Sequence, residues 1–212
     1  METADPDGNL FRGDLLDHRA GADGGGPRQP GGTGTGPGMR WALFLRAVNV
    51  GGTGRLAMAE LRAALEAEGA RDVATYIQSG NVVLAHAADD PDSLARWAEG
   101  VLTQRFGLET AVAVRDAAAL DAAIGAHPWA ATGAGNQVHF AFFSGAAQAD
   151  AAERLARCCT NGEEVQADAR ALYLYTPNGI GRSRLNGQLD RAVGRPVTVR
   201  NLNTVRRVRD ML

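Results

Sequence analysis

The chain has 212 residues, of which 45% are hydrophobic and 22% charged, a composition typical of a globular protein that folds in water. Its formal net charge is −2, and no apolar run approaches the roughly 18 residues of a membrane-spanning helix, so we expect no membrane association. The only two cysteines, Cys158 and Cys159, are adjacent, and no signal-peptide pattern opens the chain. These features predict reduced thiols and a cytoplasmic location.

Charge is distributed unevenly along the chain. Residues 39–181 contain sixteen acidic residues and eleven arginines, a net charge of −5. Residues 182–212 contain eight arginines and only two acidic residues, Asp190 and Asp210, a net charge of +6. A basic end on a mildly acidic body favours an anionic partner, although arginines that pair with acids across the fold would explain the same numbers.

Residues 1–38 contain eleven glycines and four prolines, a composition that cannot bury enough apolar surface to fold. We predict a disordered tail over 1–38.

Residues 39–130 contain the elements of a βαββαβ unit. The apolar run at 40–48 predicts a buried strand, and a helix follows the glycine loop "NVGGTG". Ser79-Gly80 predicts a two-residue hairpin turn between two further strands. The second helix should begin at Asp90 as N-cap and end at Gly107, before a strand at 109–115. This order is typical of a ferredoxin-like subdomain.

Residues 131–212 nearly repeat that order. A strand at 137–143, a helix at 147–157 and a hairpin turning at Asp168-Ala169 precede a helix at 184–193, a short strand and a final helix at 202–212. We therefore predict an α+β protein of two ferredoxin-like βαββαβ subdomains, 39–130 and 131–212, packed together. The repetition is one of element order, without convincing sequence identity between the subdomains.

Four long segments carry a family resemblance: "FLRAVNVGGTGRLAMAELRAAL", "TYIQSGNVVL", "LYLYTPNGIGRSRLN" and "TVRNLNTVRRV". In this order they closely resemble the bacterial DUF1697 family, a domain of unknown function, over nearly all of residues 39–212. The resemblance implies a small α/β protein with two subdomains and implies no activity. Relatives usually have lysine where this chain has Arg55 and Arg184, which argues against a lysine nucleophile.

The glycine loop and the first hairpin supply the first candidate ligand-binding residues. Arg46, Asn49 and Gly51 follow the first strand, where glycine N–H groups and a helix N-terminus favour an anion. A tight turn held by Asn49 explains the same residues, and the spacing matches no dinucleotide or Walker motif. Gln78 and Asn81 carry amides suited to a base edge, a sugar or a peptide group, or simply to the hairpin.

The segment "TPNGIGRSRLN" favours an anion contact more strongly. Asn178 and Gly179 break the strand, and Ser183 is placed as a helix N-cap. Arg182 beside that cap opposes the helix dipole, a mismatch expected at functional sites. Arg200 and Asn201 likewise precede the last helix. The predicted ligand-binding set is Arg46, Asn49, Gly51, Gln78, Asn81, Asn178, Gly179, Arg182, Ser183, Arg200 and Asn201.

Three functions are compatible with these residues. We favour binding of a phosphorylated or otherwise anionic small molecule, such as a nucleotide, in a compact pocket. An enzyme at the same surface would use Arg182 for the anion and Ser183 or Tyr173 for a proton. A nucleic-acid or protein interaction module is the third, although acidic residues throughout 39–181 disfavour a broad basic track. No histidine or cysteine spacing resembles a metal site, so we expect neither metal nor cofactor. The sequence does not determine an oligomeric state.

Overall fold

The computed structural model describes residues 38–49 and 56–212. The predicted disordered tail, apart from Gly38, and the candidate residue Gly51 lie outside the described residues.

The described chain forms two halves with the same succession of elements. The first half consists of β1 (Met39–Leu45), α1 (Met58–Ala67), β2 (Arg71–Tyr76), β3 (Asn81–His86), α2 (Pro91–Phe106), β4 (Val112–Arg115) and α3 (Ala117–Ala126). The second half consists of β5 (Val138–Phe142), α4 (Ala151–Ala156), β6 (Glu164–Ala167), β7 (Ala171–Tyr175), α5 (Leu189–Val193), β8 (Thr198–Asn201) and α6 (Leu202–Asp210). None of these helices combines the length and apolar character needed to cross a membrane.

Each half contains one four-stranded antiparallel sheet. The strand orders are β2-β3-β1-β4 and β6-β7-β5-β8, so equivalent strands take equivalent places in the two sheets. The register is also equivalent, because Ala42 pairs with Arg115 in the first sheet and Phe140 with Arg200 in the second. The chain is therefore an α+β protein built on two sheets of the same connectivity.

Local capping signals set several helix ends as the sequence predicts. The Asp90 carboxylate accepts from the Ser93 N–H at 2.8 Å, Pro91 opens α2, and Gly107 ends it in the left-handed region at φ 61°. The Asn201 side chain accepts from the Thr204 N–H at 2.9 Å and caps α6.

Three predicted elements differ from the structure. Tyr76 pairs with Asn81, so the first hairpin turns through four residues instead of two. The helix expected over 147–157 is shorter in the structure, where α4 spans only Ala151–Ala156. The helix expected over 184–193 is a 3-10 turn at Arg184–Gly187 followed by the short α5. Gly187 in the middle of that segment disfavours a continuous helix.

The two sheets face each other across a shared hydrophobic core. Alternation along the strands points Phe44 of β1 and Phe142 of β5 into this layer, where their rings stack with centroids 5.0 Å apart. Tyr173 and Tyr175 of β7 face the same layer, whereas Leu172 and Leu174 face α4 and α5 on the outer side. The helices α3 and α6 contribute Leu120, Leu202 and Val205 to the shared core.

An inward-pointing arginine from each half reaches into the other half. Arg200 of β8 lies over the Phe44 ring at 5.8 Å and donates to the Leu45 carbonyl at 2.8 Å. Arg115 of β4 lies over the Phe142 ring at 5.1 Å and donates to the Phe143 carbonyl at 3.1 Å. The two contacts are equivalent by strand position, so the same arginine contact occurs twice across the interface.

Candidate functional site

A cavity of about 310 Å³ lies where segments of both halves meet. The first half contributes the turn after β1 and the β2–β3 hairpin. The second half contributes β5, the segment after β7, β8 and the start of α6. The lining residues are Ala47, Val48, Ile77, Ser79, His139, Ile180, Val199, Arg200, Asn201 and Thr204. Segments that are far apart in the sequence thus border one cavity.

The described lining of this cavity contains a cation and no acidic residue. Arg200 is largely buried, and burial lowers the pKa of its guanidinium to about 10, so the group stays charged at neutral pH. No carboxylate lies within salt-bridge distance of it in the described chain. A positive charge that contacts no carboxylate of the described chain therefore borders the cavity.

The N–H groups of Arg200 are all used inside the protein. Its Nε donates to Asn81 Oδ1 at 2.5 Å, and Nη1 donates to Thr198 Oγ1 at 2.7 Å and to the Val199 carbonyl at 2.8 Å. Its Nη2 donates to the Ser79 carbonyl at 2.7 Å and to that of Leu45. Since a guanidinium has five N–H groups, Arg200 can attract an anion only through its field, and it fixes the hairpin beside the cavity.

His139 is the titratable ring in the cavity lining. It lies on β5 with only 5% of its surface exposed, and its Nδ1 is 3.1 Å from Thr176 Oγ1. Its Nε2 has no hydrogen-bond partner among the described residues. Burial lowers the pKa of His139, so the ring is neutral at pH 7 and can donate or accept one hydrogen bond.

Three further side chains of the lining keep hydrogen-bonding capacity. Ser79 Oγ accepts from Asn81 Nδ2 at 3.0 Å, which leaves its own proton to donate. Asn201 uses only its Oδ1 in the helix cap, and Thr204 Oγ1 has no partner within the described chain. Together with His139 they supply the polar contacts that a small ligand needs.

Ile77 lies at the cavity rim and has an unfavourable backbone conformation. Its φ is +50°, a left-handed conformation that costs a β-branched residue free energy, and 53% of its surface is exposed. Backbone strain of this kind concentrates at functional sites.

Three of the sequence-predicted residues hold the protein together. Arg46 forms an ion pair with Asp190 at 2.7 Å and donates to the Val197 carbonyl, so it links the halves away from the cavity lining. Asn49 donates to the carbonyls of Leu56 and Gln78 and accepts from the Leu56 N–H, which joins the two described ends of the glycine loop. Asn81 is fully buried and orients Arg200.

The other predicted residues divide into exposed and capping positions. Gln78, Asn178 and Arg182 are exposed, and Arg182 has no ion-pair partner in the described chain. Gly179 has φ +81° in the turn after β7, and Ser183 Oγ accepts from the Leu185 N–H at 3.0 Å. Of the described members of the predicted set, only Arg200 and Asn201 are among the residues that line the cavity.

Sequence reasoning missed Ser79, His139 and Thr204, and assigned Ser79 only to the hairpin turn. His139 alternates with core residues along a strand, and Thr204 lies in the first turn of α6, positions that are ordinarily structural. A polar residue on an otherwise apolar strand face was the available signal for His139. Within the described residues, no group of three or more potential metal ligands is present.

Comparison with known proteins concerns the family and the fold. The family model described as "Protein of unknown function (DUF1697)" matches residues 39–173. No curated protein matches at a significant level. The solved structure of conserved bacterial protein SP0830 from Streptococcus pneumoniae is similar, with a TM-score of 0.65 and 20% identity over 82% of this chain and 98% of that one. At that identity the likeness concerns the fold alone. The chain, as its four motifs indicated, belongs to the DUF1697 family.

Proposed function

We propose that this protein binds a small phosphorylated or otherwise anionic molecule in the cavity between its two halves. The observation that carries the proposal is a cavity with the charge of Arg200 at its wall and no acidic residue in its described lining. An anion entering it gains a favourable interaction with a cation that contacts no carboxylate among the described residues.

Uncommitted polar groups support the same ligand class. Ser79, His139, Asn201 and Thr204 offer hydroxyl, imidazole and amide groups, the kinds that hydrogen-bond to phosphate oxygens and sugar hydroxyls. Arg182 lies two residues beyond the lining residue Ile180 and is exposed without an ion-pair partner in the described chain. It can supply a direct charge-assisted hydrogen bond, which Arg200 cannot because all of its N–H groups already have acceptors.

The cavity volume favours a small ligand. About 310 Å³ is at the lower end of ligand-binding pockets, so a sugar phosphate or the phosphate end of a mononucleotide fits better than a dinucleotide. A nucleic-acid track is not favoured, because arginines such as Arg46 and Arg209 are paired with acids.

The test is a thermal-shift and calorimetric comparison of phosphorylated and unphosphorylated partners: glucose 6-phosphate against glucose, and AMP against adenosine. A ligand at 100 times its Kd should stabilise the fold by about 2.7 kcal/mol. We expect the phosphorylated member of at least one pair to bind, and affinity to weaken as salt rises. Equal responses to both members of every pair would contradict the proposal.

Two arginine variants localise the ligand. Arg182→Ala removes an exposed charge near the cavity, whereas Arg207→Ala removes an equally exposed charge on α6. We expect Arg182→Ala to weaken binding about tenfold, as loss of a charge-assisted contact does, and Arg207→Ala to leave it unchanged. An equal loss in both would indicate nonspecific attraction by the basic end of the chain.

An enzymatic function of the same cavity is the second candidate, favoured by His139. A buried, neutral imidazole with a free Nε2 is suited to accept a proton from a bound substrate. Ser183 and Tyr173 are poorer candidates. The Ser183 hydroxyl caps the following 3-10 turn by accepting from the Leu185 N–H, and the buried Tyr173 donates its hydroxyl proton to Asp168. Turnover of a ligand that binds, lost in His139→Gln while binding persists, would establish this function.

We also assign the two halves to ferredoxin-like subdomains with the boundaries 39–130 and 131–212. The matching strand orders and element successions support the assignment. A cytoplasmic location is retained as a prediction, supported by the unpaired thiols of Cys158 and Cys159.

A further inference from the structure

Arg115 and Arg200 differ in how many of their N–H groups have acceptors. Arg200 uses all five. Arg115 donates from Nη1 to the Val114 carbonyl at 2.7 Å and from Nη2 to the carbonyls of Phe143 and Arg170. Its Nε and the second Nη1 proton have no acceptor among the described residues. Within the part of the chain that the structure describes, two donors of a side chain that is only 5% exposed are therefore uncommitted.

A second cavity, of about 320 Å³, is present at Arg115. Its wall consists of one face of α3 and the tip of the β6–β7 hairpin, remote in sequence from the loops of the first cavity. The lining residues are Arg115, Ala119, Ala122, Ala123, Asp168, Ala169, Arg170 and Ala171. Five of the eight are alanines, so the cavity combines a small apolar wall with two cations and one carboxylate.

The carboxylate does not neutralise Arg115 by contact. Asp168 Oδ1 accepts from the N–H groups of Arg170 and Ala171 at 2.8 Å each, and Oδ2 accepts from the Tyr173 hydroxyl. It thereby holds the hairpin, and no ion pair joins it to Arg115 in the described chain. Burial lowers the pKa of Arg115 to about 10, which leaves the group charged at neutral pH.

We propose that this second cavity binds a short-chain carboxylate, with its anionic group on the uncommitted donors of Arg115 and its apolar chain on the alanines of α3. A carboxylate supplies acceptors to a desolvated cation, and a branched chain of a few carbons covers the alanine wall. At the equivalent position in the other half an anion cannot accept a hydrogen bond from the guanidinium, because all five donors of Arg200 are already used.

The test is a titration of the full chain, followed by amide NMR shifts, with isobutyrate and with its neutral isostere isobutyramide. We expect saturable shifts in Ala119–Ala123 and Ala169–Ala171, with isobutyrate binding at least about tenfold tighter. No saturable shift with isobutyrate, or equal affinity for both compounds, would overturn the proposal.

A matched pair of variants assigns the site without touching Arg115. Ala122→Leu places a larger side chain on the cavity wall, and Ala118→Leu makes the same change at an exposed α3 position outside the lining. We expect isobutyrate binding to be lost in Ala122→Leu and kept in Ala118→Leu, with thermal stability of both near that of the parent chain. Binding that survives Ala122→Leu would place the carboxylate elsewhere and refute the assignment.

Discussion

Arg200 shows how one side chain can position a site without contacting its ligand. Its guanidinium connects β8 to the β2–β3 hairpin through acceptors that include Asn81, Ser79 and Leu45. The acceptors other than Asn81 Oδ1 and Thr198 Oγ1 are backbone carbonyls. These hydrogen bonds therefore depend on the backbone conformation more than on the identity of neighbouring side chains. A cation held by neutral acceptors keeps its field available at the cavity wall.

Replacing Arg200 by lysine tests this dependence. An ammonium has three donors on one atom and cannot reach acceptors on opposite sides of a planar guanidinium, so several buried carbonyls lose their partners. We expect Arg200→Lys to lower the free energy of unfolding by about 2–4 kcal/mol, measured by urea denaturation. The exposed Arg207→Lys should change it by less than about 0.5 kcal/mol. A similar small change in both variants would show that the hydrogen bonds of Arg200 are dispensable.

A substitution of Ile77, at the same cavity, should raise the free energy of unfolding, whereas Arg200→Lys should lower it. Asparagine tolerates its φ of +50° better than a β-branched residue, so Ile77→Asn should raise the free energy of unfolding by about 1 kcal/mol. Met39 is exposed to a similar extent, 51% against 53%, but lies in a strand. Met39→Asn should therefore give no gain. If Ile77→Asn destabilises the protein in the same denaturation experiment, the residue is held by packing and not under strain.

At the scale of elements, the sequence predicts best what local chemistry decides. The ends of α2 at Asp90 and Gly107 follow from capping rules that involve only neighbouring residues. The short 3-10 turn after Ser183 was missed, because the helical periodicity was read through Gly187, which disfavours a continuous helix. The partners of Arg46 and the access of His139 to a cavity depend on segments far away in the chain, which one sequence does not specify.

One long-range signal was nevertheless readable. The segments "VAVRD" at 112–116 and "VTVRN" at 197–201 occupy equivalent positions, each an edge strand that ends in the buried arginine and a helix cap. Three of the five positions are identical, a short local match beside the repeated element order. It was missed because a five-residue match is weak until strand register aligns it.

The contact between α3 and α6 is expected to depend on pH. Arg209 donates to both carboxylate oxygens of Asp121 at 2.6 and 2.7 Å, and these hydrogen bonds lower the pKa of Asp121. A carboxyl whose folded pKa is depressed stabilises the fold above its unfolded pKa of about 3.9 and loses that contribution as pH falls through the folded value. Asp121→Asn should thus be less stable than the parent at pH 7, with the difference vanishing in acid.

Chemical denaturation at a series of pH values measures this difference. Asp89→Asn is the control, since Asp89 is exposed and has no hydrogen bond or ion pair in the described chain. It should show no comparable loss at pH 7. A stability difference for Asp121→Asn that persists unchanged below the titration range would rule out the ion pair as its cause.

For the whole molecule, the shared layer between the sheets joins the two halves. Phe44 and Phe142 are both fully buried, and each has the guanidinium of the other half's arginine over its ring. Burying a phenylalanine contributes about 1.5–3 kcal/mol, so either sheet alone would expose several such contributions. The interface is thus part of the core, although the two sheets have separate strand ladders.

We therefore expect the halves to unfold in one cooperative transition, despite their proposed assignment as two subdomains. Native-state hydrogen exchange should give the same opening free energy for the amides of Leu43 in β1 and Ala141 in β5, both in central strands. A fragment of residues 39–130 should lack cooperative unfolding, because the face carrying Phe44 and Val83 would be left in water. Opening free energies that differ between the two sheets, or a fragment that unfolds cooperatively by itself, would mean that each sheet is stable without the shared layer.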